Sequence, residues 1–323
     1  MRRREVVAGL CAASAPWAVA VRAQTAGVRV GLLGSTSEAE WGAFVVGLRQ
    51  GLRQAGFIEG STVAIEYRWA ESQFDRLPAL AADLVARNVA AIVTVGGSIS
   101  ARAAKAATTT IPVIFVLGAD PVRLGFVDSL SRPGGNVTGV SFLLNALVGK
   151  RLALLRELLP GSTKVGLLVN PKNPNAVADT ASVRDAAQLL KFEVFVSEAS
   201  SEAAFAPAFA SFAASGCEAL LLLPDPLFIS RRSRIVELAA VTRLPTIYEQ
   251  ATVGGLISYG TNLVHAHRQA GAHLGRILKG ERPADLPVFQ STTYELIVNL
   301  KTAKALGIDI PSSLLARADE VIE

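Results

Sequence analysis

The chain has 323 residues, half of them apolar, and carries a formal charge of +5 from 32 basic and 27 acidic residues. That length exceeds what one hydrophobic core usually organises, so two lobes are expected. Two cysteines rule out a disulfide-built scaffold, and the absence of basic runs interleaved with aromatics past the N-terminus leaves no nucleic-acid footprint.

The N-terminus reads as an export signal. Arg2-Arg3-Arg4 precedes an apolar stretch over 6–20, and Val21-Arg22-Ala23 places small residues three and one positions before Gln24. The stretch is about 15 residues, short of the roughly 20 that span a bilayer. Arg3-Arg4-Glu5-Val6-Val7 has the form of a twin-arginine signal, though a Sec signal also fits. Leu10 before Cys11 argues against lipidation. Cleavage near Ala23/Gln24 takes four of the 32 basic and one of the 27 acidic residues, leaving 28 against 26. The product is expected to be periplasmic, nearly neutral, and to carry Cys217 alone, read as a small buried hydrophobe.

Beyond the leader, short apolar runs alternate with alanine-rich segments of helical period. The runs lie at 28–33, 63–67, 90–95, 113–117, 137–142, 165–169, 192–196, 219–223, 246–248 and 256–259. Helices are predicted at 39–55, 74–87, 99–107, 146–158, 177–190, 202–214, 229–242 and 263–279. Runs that are apolar throughout suit strands covered on both faces, and strand–helix repetition implies parallel sheets with right-handed crossovers. The strands exceed one small sheet, and Pro133-Gly134-Gly135-Asn136 marks a break, so two doubly wound α/β lobes are expected, the first reaching about residue 142. After Gly280, prolines interrupt the pattern before a strand at 294–299 and a helix at 300–306.

Open parallel sheets bind ligands beyond the carboxyl ends of their strands. Gly34-Ser35-Thr36 and Gly96-Gly97-Ser98 occupy two such ends, the second opening a helix whose free N–H groups could hold a carboxylate. Asp120-Pro121 and Asp225-Pro226 follow apolar runs, one in each half of the chain, and Asn170-Pro171 follows another. Asp before Pro is also an ordinary helix start. As a pair, the two aspartates would bring a carboxylate from each lobe to a shared cleft. Tyr248 and Tyr259 end late strands and could cover a ligand face, or pack in the core. His265, His267 and His273 share one predicted helix without the i, i+4 spacing of a metal pair, and read as surface residues. No Gly-x-Ser-x-Gly elbow and no Gly-x-Gly-x-x-Gly turn occurs where an enzyme would need it, so no catalytic group, metal or cofactor is expected.

Several blocks resemble the bacterial ABC-transporter substrate-binding family that includes tryptophan- and tyrosine-uptake proteins, a branch of the type I periplasmic-binding fold. They are Gly47-Leu48-Arg49-Gln50-Gly51-Leu52, Ile65-Glu66-Tyr67-Arg68-Trp69-Ala70, Ala119-Asp120-Pro121-Val122, the Arg132-to-Gly139 block, Leu223-Pro224-Asp225-Pro226, and the segment from Asn299 to Ile322. The resemblance implies two lobes joined by three crossings, the first 28–142 plus about 255–285 and the second 143–254 plus about 286–323. It implies a small organic ligand, an amino acid or related carboxylate, held in the cleft by hinge closure. The implied pocket positions are Ser35, Gly97, Ser98, Asp120, Ser141, Asn170, Asp225, Tyr248 and Tyr259. In such proteins helix-end N–H groups and hydroxyls take the carboxylate and acidic residues take the amine, roles carried here to Ser98 and Asp225. The implied partners of this monomer are an ABC permease and ATPase in the inner membrane. A periplasmic sensor docking on a signalling receptor would present the same pocket, and gene neighbours would separate the two.

Overall fold

The computed structural model describes residues 27–323 apart from 143–146, 250–253 and 292–293. The expected export signal and cleavage position fall at residues outside those described. The first part of the chain runs β1 (Val28–Gly34), α1 (Glu38–Gln54), β2 (Val63–Trp69), α2 (Leu77–Ala86), β3 (Ile92–Val95), α3 (Ser98–Ala107), β4 (Val113–Leu117) and β5 (Val137–Ser141). Then follow α4 (Val148–Leu158), β6 (Lys164–Val169), α5 (Ala176–Leu189), β7 (Glu193–Glu198), α6 (Phe205–Ala214), β8 (Ala219–Leu222), α7 (Pro226–Ser230), α8 (Arg232–Val241), β9 (Thr246–Tyr248) and β10 (Ile257–Thr261). The last part contains α9 (Leu263–Leu278), β11 (Phe289–Gln290), β12 (Tyr294–Asn299), α10 (Leu300–Leu306), α11 (Ser312–Leu315) and β13 (Glu320–Ile322).

These strands make two sheets, ordered β11-β5-β4-β3-β1-β2 and β13-β12-β10-β9-β8-β6-β7. The first is parallel throughout, and the second is parallel except where β10 meets β12. The apolar runs are explained by what covers them. Leu32 enters the core on one face of the first sheet and Leu33 the core on the other. Leu167 and Leu168 divide likewise between the two cores of the second sheet. Side chains alternate across a strand, so burial on both faces demands apolar residues at every position. The two-lobed α/β architecture expected from the sequence is the one observed.

The chain changes sheet three times: between Ser141 and Val148, between Thr261 and Leu263, and between Gln290 and Tyr294. The resemblance places about 255–285 in the first lobe and about 286–323 in the second. Two segments differ. Ile257–Thr261 belongs to the second sheet, where it pairs β9 and runs antiparallel to β12, and Phe289–Gln290 returns to the first sheet beside β5. A short strand followed by a helix looks the same whichever sheet receives it, because pairing partners are distant in sequence.

Helix α9 is nonetheless a first-lobe element, packed across α1. Glycines set their separation. A Cβ on Gly51 would stand 1.9 Å from the Arg268 carbonyl oxygen, and one on Gly271 would stand 2.1 Å from that of Leu48. The two backbones therefore touch, which brings Trp41, Phe44 and His267 into one cluster: Phe44 and His267 stack with centroids 5.3 Å apart, and Trp41 lies 5.7 Å from His267. His267 is 1% exposed and His273 6%, so the expected surface histidines are corrected for these two. Six residues apart, the two rings leave α9 about 120° apart and are buried against different neighbours, His267 against Trp41 and Phe44 and His273 against Phe289. Cys217 is half-buried, and desolvation lifts its thiol to about 11, leaving it protonated and unreactive.

Candidate functional site

A cavity opens between the lobes, with about 880 Å³ of space between the lining atoms when its open mouth is included. It lies beyond the carboxyl ends of strands from both sheets, as the fold class demands. The first lobe contributes Gly96 to Ile99 after β3, Leu117 to Ala119 after β4, and Trp41 and His267 from α1 and α9. The second contributes Asn170 and Lys172 to Asn175 after β6, Pro224 to Pro226 after β8, and Glu249 after β9.

Four of the predicted positions, Gly97, Ser98, Asn170 and Asp225, line this cavity. Gly97 has φ +85° and sits at the N-terminus of α3, within reach of Pro226 from the opposite lobe. The first N–H groups of a helix have no intrahelical partner, so this end can receive an anion. The Ser98 hydroxyl accepts a hydrogen bond from Asn175 Nδ2 across the cleft, at 3.1 Å, which leaves its own proton to donate. The buried Asp225 carboxylate caps α7 by accepting from the Leu227 N–H at 2.8 Å. It also accepts from Asn170 Nδ2 at 3.2 Å and from Asn173 Nδ2 at 2.8 Å. Burial raises its pKa and these donors oppose the rise.

The other five stand outside the cavity wall. Ser35 donates to the Gly96 carbonyl at 3.0 Å, tying β1 to the turn before α3. Ser141 is fully buried and donates to the Ala119 carbonyl at 3.3 Å. Asp120 accepts from the N–H groups of Val122 and Arg123, at 2.9 and 3.2 Å. The chain after it makes turns rather than a helix, so the expected pair of cleft aspartates is not formed. Tyr248 points into the outer core of the second lobe, because β9 sends Ile247 and Tyr248 to opposite faces. Tyr259 packs against Tyr294 with centroids 6.1 Å apart, while its carbonyl accepts from Arg151 Nε at 2.7 Å.

Several cavity residues escaped the sequence reading: Trp41, Phe74, Asn175, Asp179, Glu249 and His267. The one available signal was the run Asn170-Pro171-Lys172-Asn173-Pro174-Asn175, whose Asx-turn residues stack three amides after a strand. Glu249 directly follows Tyr248 at the end of β9. It is buried, and desolvation lifts its carboxyl to about 7, with the nearby Asp225 charge adding and Arg151 opposing. Arg151 itself is fully buried, and desolvation lowers it to about 10. Three carboxyl groups, Asp179, Asp225 and Glu249, thus belong to the second-lobe wall. Among the described residues no group of His, Cys, Asp and Glu is arranged to hold a metal ion.

A family model described as "ABC transporter substrate binding protein" matches residues 35–322. The chain belongs to that family. Its members are solute-binding proteins rather than enzymes, and no described helix is long and apolar enough to cross a membrane. A "Tyrosine-binding protein" of Clostridioides difficile (strain R20291) is 29% identical over 265 residues, covering 81% of this chain and 76% of the relative. A structure described as an ABC domain in complex with L-Trp, from Streptococcus pneumonia, is 26% identical, with a TM-score of 0.84, covering 92% of this chain and 100% of the other. The ligand-free, open structure of a substrate-binding protein with adhesive properties from Clostridium difficile is 25% identical with a TM-score of 0.66, covering 91% and 99%.

Proposed function

We propose that the protein is the periplasmic solute-binding component of an ABC importer and that it closes its lobes around an aromatic amino acid. The observation that carries the ligand class is the division of charge across the cavity. The first-lobe wall presents the N-terminus of α3 and the Ser98 hydroxyl, suited to a carboxylate. The second-lobe wall presents Asp179, Asp225, Glu249 and Asn175, whose Oδ1 has no partner among the described residues, suited to an ammonium. Trp41, Phe74 and Phe142 supply apolar surface for a side chain. The named ligands of two relatives, tyrosine and L-Trp, agree with this chemistry.

Closure is supported by contacts that exist only when the lobes meet. Asn175 reaches Ser98 at 3.1 Å. Arg231, after α7, forms an ion pair with Glu40 on α1 of the first lobe and another with Glu202 of its own lobe, the latter at 2.9 Å. At nearly equal identity, the TM-score is 0.84 to the L-Trp complex and 0.66 to the open, ligand-free relative. Ligand would shift the open form to the closed one by binding both walls, and the closed form would dock on the permease.

Calorimetric titration of the chain from Gln24 onward with the twenty amino acids tests the reading. Aromatic L-amino acids are expected to bind and to raise the melting temperature, by about 2.7 kcal/mol of stability at a hundredfold excess over Kd. No stabilisation by any amino acid would sink it. Arg231→Ala should weaken that binding by no more than about fivefold, mainly through faster dissociation, because the Arg231 side chain is 36% exposed and such pairs are worth about 1 kcal/mol at most. Stopped-flow release of ligand measures this.

A further inference from the structure

We propose that Trp41 Nε1–H and His267 Nε2 form a hydroxyl-recognising pair in the first-lobe wall of the cavity, selecting a phenolic ligand end over a phenyl or indole one. Both side chains line the cavity, and Trp41 is 4% and His267 1% exposed. Neither nitrogen has a hydrogen-bond partner among the described residues. Buried polar atoms are nearly always paired, so two unpartnered ones on a single cavity wall point to a ligand group that satisfies them.

The hydrogen-bonding sense of each atom is determined. An indole N–H only donates. His267 Nδ1 lies 2.7 Å from the Leu263 carbonyl oxygen, a contact that requires the proton on Nδ1. Burial holds the ring neutral, with its pKa lowered to about 4, so Nε2 carries a lone pair and accepts. The wall thus offers one donor and one acceptor, both uncharged, on rings whose centroids are 5.7 Å apart and which both pack on Phe44. Their surroundings are Val116, Phe142, Ile229 and Leu263. A carboxylate could only accept here, an ammonium could only donate, and either would bring an uncompensated charge into apolar surroundings. A hydroxyl does both and is neutral. Indole nitrogen would leave the Trp41 N–H unpaired, and a phenyl ring would leave both atoms unpaired.

This assignment rests on the amino-acid reading above, and its test separates the two. Calorimetry with L-tyrosine, L-phenylalanine and L-tryptophan should rank tyrosine first, tighter than phenylalanine by about ten- to a hundredfold, because a site built to bond a hydroxyl rejects the analogue lacking it. Trp41→Phe and His267→Phe should each lower that ratio about tenfold, whatever each does to the affinity for phenylalanine itself. In ¹⁵N-labelled protein the Trp41 indole resonance should move with tyrosine and not with phenylalanine. A wild-type protein that binds phenylalanine as tightly as tyrosine overturns the pair, as does a tyrosine preference that both variants retain. The wild-type ratio needs no variant to fold. If no amino acid binds, the amino-acid reading fails, and 3-(4-hydroxyphenyl)propionate against 3-phenylpropionate then tests the pair alone: preference for the hydroxylated acid supports it, and equal or absent binding of both overturns it.

Discussion

Gly51→Leu is expected to destabilise the protein by at least about 3 kcal/mol, whereas Gly42→Ala on the same helix is expected to stabilise it by roughly 0.5–1 kcal/mol. The contrast follows from what each new Cβ would meet. At Gly51 it would lie 1.9 Å from a backbone carbonyl of α9 and 2.8 Å from the Ala272 nitrogen. Backbone atoms of a packed helix cannot swing aside as a side-chain tip can, so α1 and α9 must separate along their shared face. Trp41, Val45, Leu48 and Leu52 from α1 and Ala266, Ala270 and Leu274 from α9 would then lose close contact together. At Gly42 nothing lies within 4 Å, so alanine adds no clash and only relieves the conformational cost of glycine in a helix. Differential scanning calorimetry should show Tm falling by at least about 5 °C for Gly51→Leu and rising for Gly42→Ala. The helix separation would also widen the gap between Trp41 and His267, so tyrosine binding should weaken even at temperatures where Gly51→Leu remains folded. A Gly51→Leu protein as stable as the parent would mean that α9 does not pack this closely.

The fold was legible because burial on both sheet faces leaves an unmistakable mark: runs such as Ala219 to Leu222 have no polar alternate. Strands with no such mark went unseen. Phe289–Gln290 and Glu320–Ile322 are two and three residues long and owe their existence to edges already formed by β5 and β12. The site was legible where its side chains come from the turn directly after a strand, as with Ser98, Asn170 and Asp225. It was illegible where they come from helix flanks. Trp41 and His267 obey the helical period of the core and differ from core residues only in their polar atoms, which sequence spacing cannot orient. The tyrosines show the opposite failure. Tyr248 stands at a strand end, yet residue parity sends its ring to the face that the cleft does not touch. Similarly, Asp120 and Asp225 share a dipeptide, but only the second is followed by helix and flanked by asparagines that hold its carboxylate at the cavity.

Glu249→Gln should make a protein whose stability varies little between pH 4.5 and 6.5 lose about 3 kcal/mol on acidification across that window. Two buried groups oppose each other there. The Glu249 pKa stands at about 7 in the fold against 4.5 unfolded, so the folded state binds the extra proton between those values. Its contribution is fully present below pH 4.5 and is lost as pH rises to about 7. His267 runs the other way. Its pKa falls from 6.5 to about 4 on folding, so the unfolded chain binds the extra proton, and stability is lost as pH falls through that interval. Each interval is worth about 3 kcal/mol, so the two slopes nearly cancel where they overlap. Asp225, raised by burial, reinforces Glu249 at the acid end, and His273, lowered by burial, reinforces His267. Glutamine cannot titrate, so Glu249→Gln leaves the histidine slope unopposed. His267→Phe should show the converse, growing more stable as pH falls from 6.5 to 4.5. Urea midpoints measured from pH 4.5 to 7.5 read these slopes, and the comparison is independent of any constant offset from burying an amide or a phenyl ring. Identical profiles for parent and Glu249→Gln would place the carboxylate in contact with solvent. The same chemistry reaches the ligand: an ammonium beside Glu249 favours its ionised form, so amino-acid binding near neutral pH should release a proton, seen as a dependence of the binding heat on the buffer's ionisation enthalpy, and Glu249→Gln should abolish it.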